Sequence, residues 1–175
     1  MTWKKLDGLF ESNGMMRKPT PEELAKHDAD TRRHIEQVAM FLGWVITALR
    51  YRSVEHDKSK FSEVERNAYA VVIPQLAGMK YGTPEHKAVL AQMKPAIAHH
   101  QAANRHHPEY HRNGVKGMDI IDLVEMAADW KAASLREGSG TTFEEGVKIS
   151  AKRFGLSEDL TSVILNTAKL FEEGP

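Results

Sequence analysis

The residues best suited to chemistry are Glu55-His56-Asp57-Lys58-Ser59-Lys60-Phe61, where an imidazole and a carboxylate are adjacent and two lysines follow. If the chain bends there, both side chains reach one cation. Imidazole nitrogen with carboxylate oxygen suits first-row divalent ions such as Mn, Fe, Co, Ni or Zn. A His-Asp pair alone says little, but the rest of the chain supplies what a metal site still needs. His34 lies upstream, His99-His100 and His106-His107 downstream, and Asp129 further on. Six of the nine histidines fall between His86 and His111. Imidazoles so crowded repel one another when protonated, and a metal ion is the simplest way to keep them useful.

Helices must position these residues. Thr20-Pro21-Glu22-Glu23 reads as a helix start, with Thr as cap, Pro at the first helical position and Glu closing a capping box. Ile35, Val38, Phe41, Leu42, Val45, Ile46 and Leu49 then recur at steps that predict an amphipathic helix. Ser62 to Glu65 predicts the next cap, for a helix interrupted at Pro74. Thr83-Pro84 starts another, which Pro95 should kink or split. Residues 104–117 read as a loop rich in His, Asn, Pro and Gly. Asp119 caps a helix in which Asp122, Glu125 and Asp129 share one face. Asp119 and Asp122 are accounted for as first-turn acids, with no chemistry assigned to them. Gly138-Ser139-Gly140 is a turn, Thr142 and Ser157 start the last two helices, and Gly155 and Gly174 end them. Residues 1–18 read as an arm, with Trp3, Leu6, Leu9 and Phe10 at helical spacing to dock on the body or on a second copy. No period-2 strand pattern occurs. The expectation is an all-α, single-domain helical bundle of six or seven helices over residues 19–175.

Composition narrows the function classes. Lys+Arg and Asp+Glu both number 24, so bulk charge argues for neither a nucleic-acid nor an anionic-membrane partner. The most apolar window, Val38 to Leu49, is too short to span a bilayer. Cysteine is absent, which excludes disulfides, thiolate ligands and a cysteine nucleophile. With no signal-peptide pattern in Met1 to Arg17, a cytoplasmic protein is expected. No Gly-rich phosphate loop is present, which argues against a kinase or P-loop enzyme.

The order of these motifs resembles the HD superfamily of metal-dependent phosphohydrolases, with its upstream His, His-Asp pair, further histidines and distant Asp. His56-Asp57-Lys58-Ser59-Lys60 is similar to the HDxGK signature of the cyclic-dinucleotide phosphodiesterase branch, with Ser59 in place of Gly. His99-His100 and the following His-Pro-Glu loop resemble that branch's histidine pair and loop, and Ala128-Asp129 its final helix. A more specific resemblance, over most of residues 30–170, is to a small bacterial and phage family with HDxSKF, HHxxxNxHHPE and EMxxDW motifs. That second resemblance brings no activity with it. The superfamily pattern implies His34, His56, Asp57, His100, His107 and Asp129 as metal ligands, and a nucleotide as substrate. His34 and His56 are 22 residues apart, about 33 Å on a straight helix. His34 can therefore ligate only if the helix ends near Arg50 to Ser53, or at Gly43.

The expected activity is hydrolysis of a nucleotide or related phosphate ester, using one or two divalent ions (Mn, Fe, Co, Ni, Zn or Mg). Lys60 is expected to pair with a phosphate oxygen as a point charge. Arg105 and His106 would stabilise the leaving oxygen, Asn104 and Arg105 would contact substrate, and Glu109 or Glu125 would orient a ligand imidazole. A homo-oligomer is compatible with the sequence. Two alternatives are a metal-stabilised binding or regulatory module, and a di-iron oxygenase on the same scaffold.

Overall fold

The computed structural model describes residues 18–76, 79, 83–135 and 142–173. The expected arm lies outside the described residues apart from Lys18, as do the Gly138 turn and Gly174. Among the described residues the chain is all-α: seven α-helices, no strand, and short 3-10 turns. No helix among them is long and apolar enough to cross a membrane. The helices are α1 (Pro21–Glu55), α2 (Glu63–Leu76), α3 (Pro84–Ala91), α4 (Lys94–Ala103), α5 (Ile120–Ser134), α6 (Phe143–Phe154) and α7 (Glu158–Glu173). The chain forms two compact units, residues 1–45 and 46–175.

In the first unit, α1 begins as its sequence predicts. Thr20 Oγ1 accepts from the Glu23 amide at 3.2 Å, and Glu23 returns a carboxylate to the Thr20 amide at 2.8 Å. The amphipathic pattern is present, but Ile35, Val38, Phe41 and Leu42 are exposed. The expectation that the helix stops before Ser53 is overturned, since α1 continues without interruption to Glu55. Neither Gly43 nor the Arg50 to Ser53 segment breaks it, because no proline removes an amide hydrogen bond there.

The second unit holds the core. Met126 and Ala127 of α5, Val147 of α6 and Ile164 of α7 are buried together, flanked by Leu123, Trp130, Phe143, Leu160 and Leu165. Trp130 stacks on Phe154, with ring centroids 6.3 Å apart and planes 12° from parallel. Capping boxes start α5 at Asp119/Asp122 and α6 at Thr142/Glu145. Gly155 ends α6 at φ 67°, a left-handed cap that any side chain would strain. Pro95 does split the histidine helix. It sits in the first turn of α4, where its missing N–H costs nothing. Pro74 does not interrupt α2, which runs through it to Leu76.

Helix α5 uses two faces. Met126, Ala127 and Trp130 face the core, while Asp122, Glu125 and Asp129 form the acidic stripe that the three- and four-residue spacing predicts. Helix α2 packs on α3 and α4. Its buried positions are Glu65 and Val72, seven residues apart on one face. Met126 is fully buried, so Met126→Ala should cost about 2–5 kcal/mol, through lost transfer energy and the cavity left behind. Urea unfolding at constant m-value would measure it. A loss below about 1 kcal/mol would mean that this core does not hold α5 in place.

Candidate metal centre

The centre starts from backbone geometry. Helix α1 ends at Glu55, and Asp57 adopts φ 55°, ψ 16°, making it the one non-glycine residue with positive φ among those described. Asp tolerates this left-handed conformation better than most residues, at a cost of about 1 kcal/mol. The turn ends the long helix and swings the Asp57 carboxylate back beside His56. A 3-10 turn over Lys58–Phe61 follows.

Three imidazoles surround Asp57 in one recurring arrangement. His56 directs Nδ1 to Glu125 Oε1 at 3.0 Å and holds Nε2 3.4 Å from Asp57 Oδ2. His100 directs Nδ1 to Glu65 Oε2 at 2.9 Å and holds Nε2 3.2 Å from Asp57 Oδ1. His106, 1 % exposed, holds Nδ1 3.2 Å from Glu125 Oε1 and Nε2 3.6 Å from Asp57 Oδ1. In each ring a glutamate occupies the Nδ1 side, which leaves Nε2 for the centre, as metal-ligating histidines require. His107 joins them, its ring 4.2 Å from that of His106 and 4.7 Å from that of His100.

Two sets of potential metal-donor atoms result, with each set's atoms within 4.8 Å of one another. One is Asp57, His100, His106 and His107; the other is His56, His106 and Asp129, and His106 belongs to both. Asp57 Oδ1, both ring nitrogens of His106 and His107 Nε2 are buried and make no hydrogen bond, the Glu125 oxygen 3.2 Å from His106 Nδ1 being a close charge contact only. Buried polar atoms are normally satisfied, so donors left unpaired and pointing at one another are what a cation would satisfy. The residues present fit a divalent ion.

Charge in the centre is tuned by its neighbours. The Asp129 carboxylate, 3.7 Å from Nε2, and then Glu125 raise the His56 pKa to about 10 against the opposing pull of burial. Burial, and then the adjacent His106 and His100, push His107 down to about 4. Burial works to raise Glu125, but His106 and His56 outweigh it and hold the carboxylate at about 2. An ion must therefore displace a proton from His56, whereas His107 is already neutral.

The expected site residues are placed as follows. His56, Asp57, His100, His107 and Asp129 come together in the donor sets. His34 is in neither donor set, and it stands exposed on α1, 22 residues before His56 in the chain. His106, expected beside a leaving oxygen, is instead buried among the donors. Glu109 is not at the centre, since its carboxylate accepts from Gln101 and from Arg153 of α6. Glu125 takes the orienting role. Arg105 is committed to Asp122, through Nε at 3.1 Å and NH2 at 2.8 Å, rather than presented to substrate. Asn104 is buried, donating to Ser59 Oγ and the His100 carbonyl. Lys60 pairs with Asp57 and is partly exposed.

Two residues were missed by sequence reasoning. Glu65, expected only in a helix cap, is fully buried and accepts from both His99 and His100. The available signal was its place on the same α2 face as Val72, an acid in an apolar stripe. Asp122 is a first-turn acid as expected, but it also binds Arg52 and Arg105 while fully buried. Arg52 reaches on to Glu125 at 2.8 Å, which ties the end of α1 to α5.

These shifts set the stability of the metal-free protein. His56 is raised from 6.5 to about 10, so its contribution is complete below about pH 6.5 and is lost as pH rises through 10. His107 is lowered from 6.5 to about 4, so its neutral form is favoured above 6.5 and stability falls as pH drops through 4. Melting temperature in excess chelator should therefore peak near pH 6.5, and His56→Gln should flatten the alkaline limb. A flat wild-type profile from pH 6.5 to 10 would show that Asp129 and Glu125 do not hold this proton.

No curated protein and no solved structure matches the chain. A family model matches residues 23–170, which include every donor residue. The protein therefore belongs to the family of unknown function DUF5662.

Proposed function

We propose that the protein is a metal-dependent phosphohydrolase acting on a phosphate ester. One observation carries the reading: His56 and Asp129, which form a three-donor set with the buried His106, line a cleft. A closed four-ligand site holds structure, whereas three protein ligands and an accessible position suit catalysis. His56 and Asp129 side chains are 31 % and 23 % exposed, within reach of a small molecule.

Mn, Fe, Co, Ni, Zn or Mg would supply Lewis acidity, neutralising phosphoryl charge and lowering the pKa of water. His56, His106 and Asp129, with Asp57, His100 and His107 behind them, would hold one or two such ions. Glu125 and Glu65 keep the imidazole Nε2 atoms turned inward. Lys60, which holds Asp57 by an ion pair, is the cation placed to exchange onto a phosphate oxygen. The resemblance to HD phosphohydrolases supports the same chemistry and a nucleotide-like substrate. The buried set of Asp57, His100, His106 and His107 favours a second reading, in which the ion only stabilises a binding module.

Elemental analysis of protein purified without added metal should find a transition metal, and Asp57→Ala should lose most of it. Retention of wild-type metal content by that variant would remove the centre from the reading. Phosphate release from a panel of nucleotides and simple esters, with each metal added, tests the activity. Metal present with no release from any ester would leave the binding module. Lys60→Ala should lower turnover by about tenfold or more, the weight of one charge-assisted contact, while metal content stays unchanged. Loss of the metal in that variant would make Lys60 structural.

A further inference from the structure

The cleft that opens on His56 and Asp129 has a volume of about 430 Å³, within the range of small-molecule sites. Its walls are Leu49 of α1 and Val124, Ala128 and Ala132 of α5. Val124, Ala128 and Ala132 recur every fourth residue, so they form one apolar row beside the Glu125/Asp129 row. Leu49 stands two turns before His56, so the apolar wall reaches about 10 Å from the donors along α1.

The polar groups of this cleft outside the donor set are already engaged. Ser53 Oγ donates to the Arg50 carbonyl at 2.8 Å. Arg52 spends its guanidinium on Asp122 and Glu125, and Glu125 is shared between Arg52 and His56. The walls therefore offer mainly methyl and methylene groups, and the polar atoms among them already have partners within the protein. A polar body placed against the Leu49, Val124, Ala128 and Ala132 side chains would lose hydration that they cannot replace.

We propose that the substrate is a phosphate monoester or diester with an apolar body, alkyl or aryl, which lies between the end of α1 and the Ala128 row while the phosphate meets His56, Asp129 and the ion. The inference rests on the phosphohydrolase reading and narrows its substrate away from nucleotides.

The test uses full-length, manganese-loaded protein and binding calorimetry with n-alkylphosphonates from methyl to hexyl, phenylphosphonate, and a nucleoside monophosphate. Affinity should rise by about fourfold per methylene until the cleft is filled, and phenylphosphonate should bind more tightly than the nucleotide. Ala128 is exposed, so Ala128→Phe should fold, with metal content as the check. That variant should reduce the hexyl-to-methyl affinity ratio to near one, and Ala128→Leu should reduce it partway. Equal affinity along the series, a nucleotide preferred over phenylphosphonate, or a ratio unchanged in Ala128→Phe would overturn the proposal. So would a shift of Ala128→Phe from dimer to monomer with phosphonate binding unchanged, which would make the cleft a surface between copies. Failure of every phosphonate, methyl included, would instead take down the phosphate reading and this inference with it.

Discussion

The candidate centre depends on a buried ion network between the end of α1 and the acidic row of α5. Arg52 binds Asp122 and Glu125, and Arg105 binds Asp122 from the loop that carries His106 and His107. Asp122 is fully buried and Glu125 nearly so. Such a network is costly to assemble because each charge loses its hydration, but removing one partner costs about 3–5 kcal/mol by stranding the others. Its value here is positional. It sets the His56-Asp57 turn, the histidine loop and α5 in one register, and Glu125 extends the same network to the His56 and His106 rings.

The second constraint is ring orientation. A histidine can bind a cation through either nitrogen, and the partner of the other nitrogen decides which. Glu125 and Glu65 fill that role from two different helices, α5 and α2. Asp129 and the ionised Glu125 also favour a protonated His56 ring when no ion is bound. His56 shows the consequence in its raised pKa. Proton and metal ion compete for the same electron pair, which links loading of the centre to pH.

The same helix that supplies Glu125 and Asp129 supplies the apolar row of Val124, Ala128 and Ala132, one position out of phase. A rotation of about 100° per residue places the two rows side by side. Candidate metal donors and cleft-lining groups thus share one helix, backed by the Met126 core. The loop that carries His106 and His107 completes the donor sets.

How much was legible in the sequence follows from the range of the interactions. Helix starts at Thr20, Thr83, Asp119 and Thr142 were readable because a cap is made within four residues of itself. The split at Pro95 was readable because the proline ring acts on its own turn. The all-α class came from periodicity, and the adjacent His56 and Asp57 were conspicuous by type. Glu125 was expected as an orienting carboxylate, but Glu65 and Asp122 were not legible as partners, since they meet their histidines and arginines across 17 to 70 residues of chain. A carboxylate in a helix's first turn looks the same whether it ends as a solvated cap or a buried anchor. The helix end that a ligating His34 required does not occur, because the residues between Gly43 and Ser53 include no proline to break α1. The sequence by itself determined where helices begin and which residues could bind a cation. Only the tertiary structure decided which of them do share a centre, because that depends on distances between elements that no local pattern encodes.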